Sequence, residues 1–126
     1  MLDRNAHILV VDDARNIRLT ITTFLRKLGY DNVEDAPDGV TALILLRVKK
    51  FDLIICDWNM PEMNGLDLLK KVREDETLRH IPFMMVTAEA LKENIVLAIQ
   101  EGVTQYIVKP FNQKTLQEKI KAIFGE

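Results

Sequence analysis

The chain is poor in the residues that most often disclose a site. Its 126 residues include one cysteine and two histidines. A lone Cys56 excludes an intrachain disulfide and suits a reducing compartment. With His7 and His80 as the only imidazoles, a zinc or copper centre lacks its usual ligands. No apolar run approaches membrane-spanning length and the N-terminus has no signal-like apolar region, so no membrane partner is expected and the expected location is the cytoplasm. The formal net charge is −2, without the basic excess of nucleic-acid modules, so no nucleic acid is expected as partner. No Gly-x-Gly-x-x-Gly occurs and no Ser/Thr-rich phosphate loop follows the first apolar run, which argues against a dinucleotide or flavin site. With no low-complexity segment or linker, residues 1–126 are expected to form one domain, with no output domain.

What the chain does have is rhythm. Apolar runs of four or five residues alternate with longer helical patterns, the form of repeated strand-helix units around a parallel sheet. Ile8-Leu9-Val10-Val11 leads into a helix with inward positions Ile17, Ile21, Phe24, Leu25 and Leu28, stopped at Gly29. A short strand near residues 32–36 precedes Pro37-Asp38-Gly39, a turn cluster opening a second helix to about Val48. Within it Ala42-Leu43-Ile44-Leu45-Leu46 is apolar on every side, so only the alternation of units favours helix over strand. Leu53-Ile54-Ile55-Cys56 reads as the central strand, continuous in apolar character because helices cover both its faces. A third helix from Leu66 to about Glu74, a strand at Phe83-Met84-Met85-Val86, a fourth helix from Lys92 to Glu101, a strand at Tyr106-Ile107-Val108 and a last helix from Gln113 to Phe124 complete five units. The fold class is therefore α/β, a single doubly wound parallel sheet of five strands flanked by five helices.

Four of the apolar runs end in polar residues of a particular kind: Asp12-Asp13, Asp57, Thr87 and Lys109-Pro110. The carboxyl ends of parallel strands share one edge, so these residues are expected to converge in an acidic pocket holding one lysine. Carboxylates a few ångströms apart repel by roughly 4 kcal/mol per pair at an effective dielectric near 20, so a cation belongs between them. Mg2+ suits oxygen donors such as Asp13, Asp57 and a backbone carbonyl just after the strand. Asp57 is the best placed nucleophile for an aspartyl-phosphate, with Lys109 and Thr87 as charge and hydroxyl donor for the transferred oxygens. The plainer alternatives are strand-end or N-cap aspartates and an exposed lysine, which the full set makes less economical.

The segments Val10-Val11-Asp12-Asp13, Asp57-Trp58-Asn59-Met60-Pro61, Val86-Thr87-Ala88-Glu89-Ala90 and Tyr106-Ile107-Val108-Lys109-Pro110-Phe111 resemble the receiver domains of two-component signalling. The likeness runs from Ile8 to Phe124 and is nearest to the chemotaxis response regulators. It implies a flavodoxin-like strand order of 2-1-3-4-5 and phosphorylation of Asp57 by a histidine kinase. Asp13, Asp57 and the Asn59 carbonyl would bind Mg2+, with Asp12 acting through water. Lys109 would pair with the phosphoryl group, Thr87 would hydrogen-bond it, and Tyr106 would swing inward behind the shifted Thr87. Asn59 and Glu89 would tune hydrolysis, and the Lys109–Pro110 bond would be cis.

The same resemblance implies an output face on helix four, strand five and helix five. Ile95 and Ile99 share a helical face, and Lys92 and Lys119 are expected to rim that patch near Tyr106. Core burial of both isoleucines is the blander alternative. The partner implied is the flagellar motor switch protein, with a phosphatase as a further candidate and the chain itself a monomer. A phosphate sink or relay shuttle without motor binding stays open as a second reading, and an aspartate-nucleophile phosphohydrolase as a remote third. Ala14, Ile99 and Ile44-Leu45 depart from the chemotaxis pattern. Ile44-Leu45 is expected to be an exposed secondary contact site, Cys56 a core filler, and Trp58 a fluorescent reporter of the pocket.

Overall fold

The computed structural model describes residues 3–88 and 91–125. Strand β1 (Ile8–Val11) is followed by α1 (Arg15–Lys27), β2 (Val33–Ala36), α2 (Gly39–Val48), β3 (Leu53–Asp57), α3 (Gly65–Glu74), β4 (Phe83–Thr87), α4 (Lys92–Gln100), β5 (Gln105–Val108) and α5 (Gln113–Phe124). The strands form one parallel sheet in the order β2-β1-β3-β4-β5. Both the strand-helix rhythm and the implied order are thereby met.

Alternation along each strand divides the core in two. Leu9, Val11, Ile54, Cys56, Phe83 and Met85 pack with Ala42, Leu43, Leu46, Leu68, Leu69 and Val72 under α2 and α3. Ile8, Val10, Leu53, Ile55, Met84 and Val86 point the other way, onto Ile21, Leu25, Leu116 and Ile120 of α1 and α5. Every residue of β1, β3 and β4 is buried, which is why these runs show no polar alternation in sequence.

Local signals set the helix limits. The Asp38 carboxylate accepts the Thr41 N–H at 2.7 Å and starts α2, whose apolar run thus becomes a helix. Asn64 and Asp67 form a reciprocal capping box on α3, with bonds of 2.9 and 3.2 Å. Gly29 closes α1 at φ 102° and Gly102 follows α4 at φ 87°, a region costly for other residues.

Two helices depart from the simple amphipathic scheme. Only Ala98 of α4 is buried, so this helix is held more lightly than the other four. In α2, Ile44 is 57% exposed while Leu45 packs partly against the core. The expected Ile44-Leu45 contact pair therefore splits, because adjacent helical residues lie 100° apart. Among the described residues, no helix is long and apolar enough to cross a membrane.

Candidate phosphoryl and metal site

The pocket is built from the carboxyl edge of the sheet. Asp12 follows β1, Asp57 ends β3 beside Val86, and Thr87 ends β4 beside Val108. The ladder continues past the strands: the Trp58 N–H donates to Val86 O at 2.8 Å, and the Lys109 N–H to Thr87 O at 2.8 Å. That register delivers Lys109 back over the edge, where its Nζ lies 3.0 Å from Asp57 Oδ1 and 3.3 Å from Asp12 Oδ2. The Lys109–Pro110 peptide is cis.

Asp12, Asp57 and Thr87 are buried, whereas Asp13 is exposed at the mouth. Burial pushes the Asp57 carboxyl above its usual range; the Lys109 hydrogen bond opposes this and the Asp12 charge adds to it. Burial would lower the Lys109 ammonium, yet its hydrogen bond and charge pairing with Asp57 carry it upward. Cys56 is fully buried, its thiol raised well above normal by burial and by the charges of Asp57 and Asp12, and it donates to the Asp57 carbonyl at 3.2 Å. It fills core space, as expected, and stays protonated.

One carboxylate oxygen from each of Asp12, Asp13 and Asp57 lies within 4.8 Å of the other two. An octahedral Mg2+ with arms near 2.1 Å spans roughly 4.2 Å between opposite ligands, so the trio fits such an ion if one carboxylate acts through water. The donors are all oxygen, which suits a hard cation. His7 sits at the opposite end of the sheet, its Nδ1 on Lys50 O at 2.8 Å and its Nε2 on Glu34, and His80 is an exposed loop residue. Neither imidazole joins the cluster. Asn59 is exposed just beyond Asp57. Glu89 lies outside the described residues.

Two pocket-shaping residues escaped the sequence reading. Arg18 of α1 donates from Nη1 to Asp12 O at 2.7 Å and from Nε to Asp35 Oδ2 at 2.8 Å, pinning the acidic turn to the end of β2. The signal for it was Asp35, a fourth acidic group near a strand end. Gly65 donates its N–H to Trp58 O at 2.9 Å, and a Cβ there would fall 2.4 Å from Asp57 O. The N-terminus of α3 thus rests directly on the backbone that carries the central carboxylate.

Behind Thr87 a narrow apolar slot of about 10 Å³ runs outward between Trp58, Met85, Ile95, Ala98 and Tyr106. Tyr106 is half-buried, with Lys119 Nζ 4.8 Å from its ring centroid and 3.5 Å from Gln105 Oε1. Lys92 is exposed at the start of α4. The two α4 isoleucines have different surroundings: Ile95 lines the slot and Ile99 is 61% exposed. A shared helical face does not impose equal burial: Ile95 lies a turn before Ile99, over the slot, whereas Ile99 extends past it into solvent.

Residues 8–121 match the family model described as the response regulator receiver domain. Chemotaxis protein CheY-3 of Vibrio cholerae is 50% identical over 124 residues, spanning 98% of this chain and 95% of that protein. The crystal structure of Vibrio cholerae CheY4 superposes with a TM-score of 0.89 at 37% identity, covering 94% of this chain and 98% of the other. The receiver domain of a Pseudomonas aeruginosa PAO1 sensor histidine kinase, solved with a magnesium ion coordinated in its active site cleft, gives a TM-score of 0.86 at 30% identity over 97% and 99% of the two chains.

Proposed function

The chain belongs to the response regulator receiver family, and from that premise we propose that it is a phospho-switched signalling module whose own chemistry is confined to gaining and losing one phosphoryl group on Asp57. The observation that carries this reading is the Lys109 ammonium at 3.0 Å from Asp57 Oδ1, beside two further carboxylates. An Asp57 oxygen attacks phosphorus, the bond from phosphorus to the donor nitrogen of a phosphohistidine breaks, and that nitrogen leaves with the bonding pair. Lys109 moves from its carboxylate contacts to the transferred oxygens, and the Thr87 hydroxyl donates to another. Asp13, Asp57 and the Asn59 carbonyl would hold Mg2+, with Asp12 acting through water. When bound, that ion neutralises charge on the oxygens in flight. From the family likeness, Asn59 and Glu89, two positions after Asp57 and Thr87 in the chain, tune how long the mark lasts.

The phosphoryl group pulls Thr87 inward and Tyr106 follows behind it. The slot of about 10 Å³ is too small for a phenol ring, so this motion also requires α4 to shift. With Ala98 as its only buried residue, α4 can do so at low cost. The readout is altered binding at Lys92, Ile95, Ile99, Tyr106 and Lys119.

The level of identity to a chemotaxis protein favours the flagellar motor switch protein as recipient and a chemotaxis histidine kinase as donor. The exposed bulk of Ile99 favours the second reading, a phosphate sink that binds no motor. Incubation with acetyl phosphate and Mg2+ should label native protein and leave Asp57→Asn unlabelled. Equal labelling of both would overturn the assignment. Capture of motor-switch peptides with and without a phosphoryl mimic separates motor from sink.

A further inference from the structure

Helix α2 is apolar on the side that the fold does not use. Gly39, Ala42, Leu43 and Leu46 face the core. The opposite pole carries Val40, Ile44 and Val48 on successive turns, exposed by 53%, 57% and 70%. One exposed aliphatic residue is ordinary, but three spaced by four residues make a continuous stripe. Polar side chains there would satisfy helix and core equally well, so folding does not account for the stripe.

We propose that this face of α2 is a self-association surface, on which a second copy of the chain lays its own α2 antiparallel about a two-fold axis. The charges at the two ends of the helix identify the occupant. The acidic cap Asp38 begins α2, and the exposed Arg47 and Lys50 mark its far end. With Ile44 on the axis, Val40 of each copy meets Val48 of the other, and Asp38 approaches Arg47 and Lys50 across the interface. A parallel arrangement would set like charges side by side. The surface is thus complementary to itself in one orientation. Its apolar centre is far smaller than the roughly 20–30 residues a side of a standard interface, so the dimer is weak and dissolves on dilution. None of these residues belongs to the phosphoryl pocket, so labelling of Asp57 and self-association succeed or fail separately.

Sedimentation velocity between roughly 20 µM and 1 mM, the range in which such an interface fills, should show a rising sedimentation coefficient. Ile44→Lys should abolish the rise while melting at the native temperature, because its side chain is not in the core. Under mild copper-phenanthroline oxidation, Ile44→Cys should form a covalent dimer quickly, since its thiol meets its own copy at the axis. Leu19→Cys, 62% exposed on α1, should crosslink slowly, and the fully buried Cys56 stays out of reaction. A chain monomeric at every concentration, or equal crosslinking through positions 19 and 44, would overturn the proposal.

Discussion

Replacing Gly65 with alanine adds one methyl group where the structure has no room for it. The new Cβ would lie 2.4 Å from Asp57 O, 2.7 Å from Met85 Sδ and 2.9 Å from Trp58 Cα, whereas ordinary contact begins at 3.4 Å. Relief therefore requires α3 and the Asp57–Trp58 peptide to part by about 1 Å, the difference between 3.4 and 2.4 Å. Two of the three obstacles are backbone atoms, so a change of rotamer cannot provide it. Overpacking of this kind costs about 1–3 kcal/mol, which for a chain of this size lowers the melting temperature by about 4–12 °C. The same displacement moves the nucleophile, and a misplacement near 1 Å costs about 100-fold in rate. Circular dichroism melts and the rate of acetyl phosphate labelling at saturating Mg2+ measure the two effects. Gly39→Ala is the control: its Cβ meets Met63 Sδ at 2.5 Å and Cγ at 2.9 Å, atoms of a flexible side chain that can turn aside. It should lose less stability and keep its rate. Native melting and labelling in Gly65→Ala, or an equal loss of rate in Gly39→Ala, would refute the argument.

The raised carboxyl of Asp57 has a consequence for stability. Its ionised form is less favourable in the folded chain than in the unfolded one, so the cost is absent below the ordinary aspartate value of about 3.9 and grows as pH rises through the higher folded value. In chelator at pH 7, Asp57→Asn should melt above native protein, with the gap closing toward pH 3; coincident melts at pH 7 would contradict this. Arg18→Ala frees the Asp12 carbonyl and should weaken Mg2+ binding about tenfold, as loss of a supporting partner commonly does. Trp58, half-buried next to Asp57, reports the titration by fluorescence, and the labelling rate at saturating Mg2+ should stay native. An unchanged midpoint would show that Arg18 does not position the acidic turn.

Most of the fold was legible because its signals are local. Runs buried on both faces, three-and-four spacing and the turn cluster before Gly39 each act over a few residues, and the structure reproduces the elements within a residue or two. The pocket was legible for a related reason. In a parallel sheet every strand exit lies on one edge, so the residue types ending each run forecast their company even though Lys109 and Asp12 are 97 positions apart.

Less was legible where the outcome turns on approach between elements. Arg18 has no motif around it, and its role rests on an arm that crosses from α1 to Asp12 and Asp35. The third helix is expected from sequence to begin at Leu66, and only the proximity of the Asp57 carbonyl explains why no side chain fits at Gly65, where α3 in fact starts. The apolar run of α2 left its outward face undefined until Leu43 and Leu46 turned inward and left Val40, Ile44 and Val48 in solvent.

By itself, then, the sequence determined the order of elements, the edge at which chemistry gathers and the residue types that meet there, because periodicity and chain direction are properties of the covalent chain. Only the tertiary structure decided how closely Lys109 approaches Asp12 and Asp57, which glycine bears on the nucleophile and which isoleucines meet water. Those depend on separations of a few tenths of an ångström between segments distant in sequence, and close packing sets them only after the sheet has formed.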